Sequence, residues 1–524
     1  MTFIKSLKGQ DFILPPRIED LIPENHISRF IETVIDSMDF KEYEVKYEGP
    51  GHPAYHPRIL LKILVMGAVD GIYSSRALMR NTRENVVYMF LAEKTQPDFR
   101  TISDFRKNNF ELVKTAFVHV VNLAMTLGFV RLGHISIDGT KIKANASKKK
   151  KLTDKEIKKL EELINSEINK GIEKDDEEDK EYGKDKDGYE VPENATKERV
   201  KELIKDSDAQ GDVDPRHLDT MCNIIANYVN GDAQTKAEIT EMIEKAKEEA
   251  NKCKNGIVSI SDPESRMMRD KENNIVFGYN SVITVDSEMG IIVANEVVKD
   301  ENDYKQLIPQ ILQVEHNTGR PLEPGTIVSA DNGFYTGQNL AFLEKRRLDG
   351  YIPDVQNTRK IRRLMDMTNP FHQYNFEYLW ETDQIICPAG SLLQHRYDYS
   401  LKKTNQKIGV YVGTECHLCK YRDKCFKEKR KQKRIKFDKW THLRFKMAKK
   451  FMDGKGREVY KIRSKTVERA FADIKRNRKL TGFTVYGLKN VNTQFTLSCI
   501  AYNLVKIYAA LQKTTLKISG GFSC

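Results

Sequence analysis

No stretch of the 524 residues approaches the roughly 20 uncharged apolar residues that span a bilayer, and the N-terminus lacks the charged, apolar, small-residue order of a secretory signal. An intracellular, cytoplasmic protein with no membrane partner is expected. Cysteine is sparse: eight thiols in a reducing compartment argue against a disulfide framework, so clustered ones read as metal ligands. Only two tryptophans occur, Trp380 and Trp440, and core packing is a commoner use for them than stacking on an unpaired base. About three domains fit this length, so size excludes almost nothing.

Positive charge is in excess, and unevenly so. Lys and Arg outnumber Asp and Glu by 87 to 75, net +12, yet residues 401–480 hold 28 basic against 8 acidic side chains and leave the remaining chain near −8. Lys427 to Lys439 is nearly all positive, where a solvated helix face would mix both signs. Lys431, Lys433 and Arg434 are therefore candidate contacts to DNA phosphates, which such runs grip without reading sequence. Just ahead stand Cys387, Cys416, Cys419 and Cys425. Four thiolates suit tetrahedral zinc, and a structural Zn²⁺ would stabilise a segment without a large core; reduced, unligated thiols are the alternative. Cys222, Cys253, Cys499 and Cys524 have no partner at ligand spacing, and Cys499, in an apolar helix, reads as packing.

Hydrophobic periodicity divides the chain. Residues 13–127 read as helical, with starts at Pro15-Pro16, Pro57 and Ser74-Ser75. In that domain, 1–130, the segment Asp98 to Arg106 joins cationic and aromatic residues to a cap and suits a helix-turn-helix-like reader of DNA. His134 to Asp138 alternates as a short strand that delivers an acid at its end, turning at Gly139. Residues 148–255 are rich in Lys and Glu and read as a charged helical insertion with a polar Asp175-to-Asp187 tip. Strand signals return at Val276–Val285 and Gly290–Val297, joined by a turn at Asp286–Gly290. A helix near Asp303 to Glu315 follows, then Thr326 to Asp331, a second acid-tipped strand followed by Asn332-Gly333, and a strand at Gly350–Pro353. Residues 355–455 carry the cysteines and the basic run, and helices at about 458–479 and 490–511 close the chain. The expected fold is α/β: a mixed five-stranded sheet with helices on both faces, formed by 131–147, 256–354 and 456–524, behind a helical N-terminal domain and interrupted by a helical and a Cys-rich insertion.

Phosphodiester cleavage by two metal ions needs carboxylates from separate elements meeting at one point. Mg²⁺ or Mn²⁺ accepts a set of hard oxygen ligands without histidine. Asp138 and Asp331 fit as strand-borne ligands and Glu468 as the helical one. Val467, Phe471 and Ile474 give that helix a buried stripe, and Lys475, seven residues after Glu468, shares the face of the acid. Singly, each acid is more often a cap or a surface charge than a ligand.

Asp138-Gly-Thr, Asp331-Asn-Gly and the series Tyr460, Arg463, Glu468, Lys475 resemble the bacterial insertion-sequence transposases of the DDE type, in the branch with a YREK signature. The resemblance implies an RNase H-like core over 134–511, an end-binding N-terminal domain, and excision and joining of double-stranded transposon ends by metal-activated water and 3′-hydroxyl attack. It gives Asp138, Asp331 and Glu468 the catalytic role and makes Tyr460, Arg463 and Lys475 DNA contacts, with a homodimer on DNA pairing two ends. Arg463 departs from the pattern, because four residues rather than three separate it from Glu468. On a continuous helix the two sit about 140° apart, so either the helix starts after Arg463 or another residue, such as Lys461, takes its place. A nuclease that cuts without rejoining and a catalytically silent DNA-binding protein are the competing readings.

Overall fold

The computed structural model describes residues 17–45, 54–147, 150–166, 200–202, 204, 205, 211, 213–253, 255–269, 273–354, 370, 371, 375–379, 381–400, 407–426, 432–438, 440–452 and 455–519. Pro15-Pro16, the section 175–187, Trp380, residues 427–431 with Lys431 among them, and Cys524 lie outside those described.

Helices α1 (Ile27–Asp36), α2 (Lys41–Glu44), α3 (Pro57–Asp70), α4 (Ser75–Glu84), α5 (Val86–Leu91), α6 (Phe99–Asn108) and α7 (Phe110–Thr126) occupy the N-terminal part. Their starts follow the sequence signals. Pro57 stands in the first turn of α3, where a missing N–H costs nothing, Ser74 is the N-cap residue of α4, and Asp98 caps α6 by accepting from Arg100 N. Ile31, Leu61, Leu78, Ile102 and Val113 are fully buried, or nearly so, in one apolar cluster that also takes in Ile137, Val328, Ile474 and Ile507. The helices and the sheet thus share a core.

The strands are β1 (His134–Lys143), β2 (Lys151–Thr153), β3 (Ile257–Ser259), β4 (Arg266–Arg269), β5 (Ile275–Asp286), β6 (Ile292–Val298), β7 (Ile327–Ala330) and β8 (Asp349–Tyr351). The main sheet runs β4-β5-β1-β7-β8, with β6 also paired to β5. β1 is antiparallel to β5 and parallel to β7, which is parallel to β8. Six strands replace the expected five because β5 is long enough to pair twice: Ile275–Gly278 with β4 and Asn280–Val285 with β6. β1 does not turn at Gly139 as the sequence suggests; it continues to Lys143, its second half paired with Gly278–Val282.

Between β1 and β4, helices at 154–166, Leu218–Val229 and Ala233–Lys252 bury Leu152, Ile157, Met221 and Ile225 in a core of their own. The stretch 148–255, read as a charged helical insertion, also carries a strand, and an antiparallel ladder of β2 and β3 closes it. Glu249 ties it to the sheet through Arg266 and Lys299. The cysteine region forms a second sheet, of β9 (Glu377–Leu379), β10 (Gln384–Ile386), β11 (Leu392–Ser400), β12 (Lys407–Gly413) and β13 (Arg434–Phe437), in sequential antiparallel order.

Helix α8 (Leu307–Thr318) covers one face of the main sheet, where Thr284 Oγ1 donates to Gln310 Oε1 at 2.8 Å. After α9 (Gly337–Lys345) and α10 (Thr441–Met452), α11 (Lys455–Arg476) covers the other face, with Thr466 Oγ1 donating to Ser136 Oγ at 3.2 Å. α12 (Leu488–Ser519) closes the chain, and Cys499 is packed within it. Among the described residues, no helix is long and apolar enough to cross a membrane.

Candidate active site

Parallel pairing of Ile137 with Ala330 sets the next residues of each strand, Asp138 and Asp331, side by side. Asp138 stands mid-strand on the α11 face, since side chains alternate and Ser136, two residues before it, meets Thr466. Asp331 leaves β7 just past its end, where one oxygen accepts from Gly333 N at 2.8 Å. α11 lies across both strands. It runs unbroken from Lys455 to Arg476, so Arg463 and Glu468 are on one helix, about 140° apart as the spacing requires.

The reach of the arginine resolves the geometry. Arg463 Nη2 lies 2.6 Å from Asp138 Oδ1, and Nη1 lies 3.3 Å from Glu468 Oε1. The guanidinium therefore bridges a strand carboxylate and the helical one. The Asp138 end is buried, with side chains 7% and 14% exposed, whereas Glu468 is 55% exposed. Arg463 Nε is buried with no hydrogen-bond partner. The ring of Tyr460 lies under the guanidinium at 5.6 Å. Lys475 Nζ donates to Thr140 Oγ1 at 2.6 Å, two residues along β1 from Asp138.

A residue that the sequence reading passed over joins them. Helix α8 starts at Leu307, not at Asp303, and Asp303 sits in the turn ahead of it, its Oδ1 accepting from Asn280 Nδ2 at 2.6 Å. Its place depends on two glycines. A Cβ on Gly139 would overlap Asp303, lying 2.9 Å from its Cγ, and one on Gly333 would lie 3.2 Å from Asp303 Oδ2 and 3.0 Å from Asp331 Oδ1. The glycine that closely follows each acid was the available signal: bare backbone at Gly139 on β1 and at Gly333 in the turn past β7 leaves room for a third group.

Burial, with Asp331 and Asp303 nearby, pushes the Asp138 carboxyl up to about 7 against the opposing pull of Arg463. Burial and Asp331 likewise raise Asp303, despite its bond from Asn280. Burial disfavours the charge on Arg463, but Asp138, Tyr460, Asp331 and Glu468 together outweigh that and hold it above the ordinary arginine range. The arrangement is a set of partly buried acids with the guanidinium of Arg463 among them. Among the described residues, no three His, Cys, Asp or Glu side chains stand close enough together to hold a metal ion.

The basic run and the cysteines lie elsewhere. Cys387, Cys416, Cys419 and Cys425 all line one cavity of about 20 Å³. Lys433 turns inward there, its ammonium donating to the carbonyls of Phe371 (3.3 Å) and Cys425 (3.1 Å). On β13, Arg434 and Lys436 point outward while Ile435 and Phe437 are buried. Trp440 is packed against Gly337 at the start of α9, a packing role.

Comparison with protein families gives two matches. A family model described as Transposase DDE domain matches residues 386–508, which include Tyr460, Arg463, Glu468 and Lys475, and one described as Transposase domain (DUF772) matches residues 16–108, covering α1 to α6. No curated protein matches the chain.

Proposed function

The chain belongs to the insertion-sequence transposases of the DDE type, and from that premise we propose that Asp138, Asp331 and Glu468 form a metal-dependent centre that cuts transposon ends and joins them to target DNA. The observation that carries this is that the guanidinium of Arg463 pairs with both Asp138 and Glu468, while strand pairing sets Asp331 beside Asp138. A carboxylate group that recruits an internal cation is suited to hold divalent ones. The donors are all hard oxygens without histidine, as Mg²⁺ or Mn²⁺ prefers, and two such ions supply water activation and charge neutralisation at a scissile phosphate.

Each protein residue has a part. Asp138 on β1 and Asp331 just past the end of the paired β7 fix the site, and Glu468 is exposed enough on α11 to close over it from the helix side. Arg463 holds Asp138 in position in the metal-free protein. Released from that pair, its guanidinium is free to grip a DNA phosphate, which its unpaired Nε also favours. Lys475, steadied by Thr140, stands where a phosphate on the same side of β1 would meet it. Tyr460 stacks on Arg463 and limits its swing.

In this reading the RNase H-like core consists of 131–147, 256–354 and 456–524, interrupted at 148–255 and 355–455, with 1–130 for end binding. Outward Arg434 and Lys436, with Lys431 beside them in sequence, add phosphate contacts, and the protein works as a dimer that pairs two ends near the nucleoid. The four thiols line one small cavity, and drawn closer together they would supply the ligands of a structural Zn²⁺ in the second sheet. The test is strand transfer: a pre-cut transposon end incubated with protein, Mg²⁺ and a target plasmid. Covalently joined end and target support a transposase; nicked target without joined product leaves only a nuclease.

A further inference from the structure

We propose that the outer face of α4 is a duplex-DNA phosphate-binding surface, held in fixed register with the catalytic helix α11. The inference rests on the transposase reading and specifies where its DNA lies. On α4, Arg76, Arg80 and Arg83 fall within about 60° of one another at 100° per residue. All three are exposed, while Leu78 and Thr82, on the opposite side, are 1% exposed. The helix is therefore clamped by its apolar side and presents its arginines to solvent. Among the described residues, Arg80 and Arg83 make no ion pair or side-chain hydrogen bond, an unneutralised arrangement that suits a polyanion.

A cleft of about 510 Å³ continues this face. It lies between the N-termini of α4 and α6 and is lined by Ser75, Arg76, Phe99, Arg100, Ser103 and Thr484, with Asp104 its one carboxylate. Arg76 and Arg100 both lie over the ring of Phe99, at 4.9 and 5.6 Å, which pre-orders two guanidiniums at its mouth. The N-terminus of α4, where Ser74 makes no side-chain cap bond, adds donors and partial positive charge of the kind that binds phosphate, whereas that of α6 is already capped by Asp98.

This surface cannot drift from the active site. The turn between α3 and α4 is pinned to the end of α11: Arg478 Nη1 donates to Val69 O at 2.7 Å, and Tyr73 Oη donates to Arg478 O at 2.8 Å. Arg106 Nη1 in turn donates to Tyr73 O at 2.7 Å. Thr484, in the cleft wall, follows a segment in which Phe483 N donates to Lys143 O at 2.8 Å, at the end of β1. From Lys143 back to Asp138 is five strand residues, about 17 Å. That is the length of roughly five base pairs of duplex.

The test is binding of the full chain to a labelled duplex carrying the element's own end, by fluorescence anisotropy across a salt series. The double variant Arg80→Gln/Arg83→Gln keeps the Arg76–Phe99 contact and changes only exposed side chains. The charge-matched control is Arg320→Gln/Lys345→Gln, exposed residues at the other end of the strands that lead to the acids. The expected result is at least tenfold weaker binding at 150 mM salt for the α4 variant, with the slope of log affinity against log salt reduced by about 2, and no change for the control. Wild-type affinity and slope in the α4 variant, or equal loss in the control, would overturn the assignment while leaving the transposase reading intact. Failure of the wild type itself to bind the duplex would overturn both.

Discussion

Replacing Arg463 with Met would remove the guanidinium that lies among these carboxylates, and the structure sets the size of the effect. The Arg463–Asp138 pair is 2.6 Å long and almost wholly buried, so breaking it from one side leaves an uncompensated buried charge, a loss of about 3–5 kcal/mol. The Glu468 end is more than half exposed and adds nothing to that figure. For a cooperative unit of 150–250 residues this is a fall in Tm of roughly 6–20 °C. The loss depends on pH. Asp138 has its folded-state pKa raised to about 7, above the ordinary carboxyl value, so near pH 6 it already carries a proton and has little charge to strand. Calorimetry in EDTA should show the larger loss at pH 8.5 and a much smaller one at pH 6. Adding Mg²⁺ or Mn²⁺ at pH 8.5 should then raise the Tm of Arg463→Met more than that of wild type, because bound cations replace the missing guanidinium. An unchanged Tm at pH 8.5 in EDTA, or no extra metal rescue, would refute the idea that Arg463 stands in for cations.

Other consequences follow from the same geometry. Gly139→Ala should displace the Asp303 carboxylate, costing about 1–3 kcal/mol by denaturation and weakening Mn²⁺ binding by calorimetry, whereas Asp303→Asn, which still accepts from Asn280, should keep stability and lose metal affinity alone. In wild type without metal, stability contributed by the proton on Asp138 is fully present below the ordinary carboxyl pKa and is lost as pH rises through about 7, so metal affinity should climb over the same interval; a flat Mn²⁺ affinity from pH 6 to 8 would contradict this. Cys416→Ser/Cys419→Ser should abolish one equivalent of zinc measured by atomic emission and lower the Tm; wild type purified without zinc would remove the proposed role.

Much of the architecture was legible because hydrophobic period reports it directly. β1, β5, β6, β7 and β8 and the last two helices lie where alternation and the 3.6-residue stripe put them. β4 was missed because its pairing is decided by the length of β5, not by any pattern of its own. The early end given to β1 came from treating Gly139 as a turn. That glycine is there for close approach, so the strand passes through it. Asp138, Asp331 and Glu468 were candidates because each follows an alternating apolar run or lies on a helix with an apolar stripe, whereas Asp303 lies in an irregular turn that no period marks. The Arg463 spacing looked like a fault because angular arithmetic counts Cα directions, whereas an arginine side chain is long enough to reach around the helix to Asp138. Lys433 shows the reverse error: charge density pointed to DNA, but a single lysine in the run is turned to backbone carbonyls beside the thiols.

The most direct measurement is strand cleavage by the full chain on DNA carrying the gene's own flanks, in Mg²⁺, comparing wild type with Asp138→Asn, Asp331→Asn and Glu468→Gln. The account predicts cuts at the element boundary for wild type and none for any of the three variants, each still binding the same DNA. Boundary cuts that survive the loss of any one of these carboxylates would contradict it.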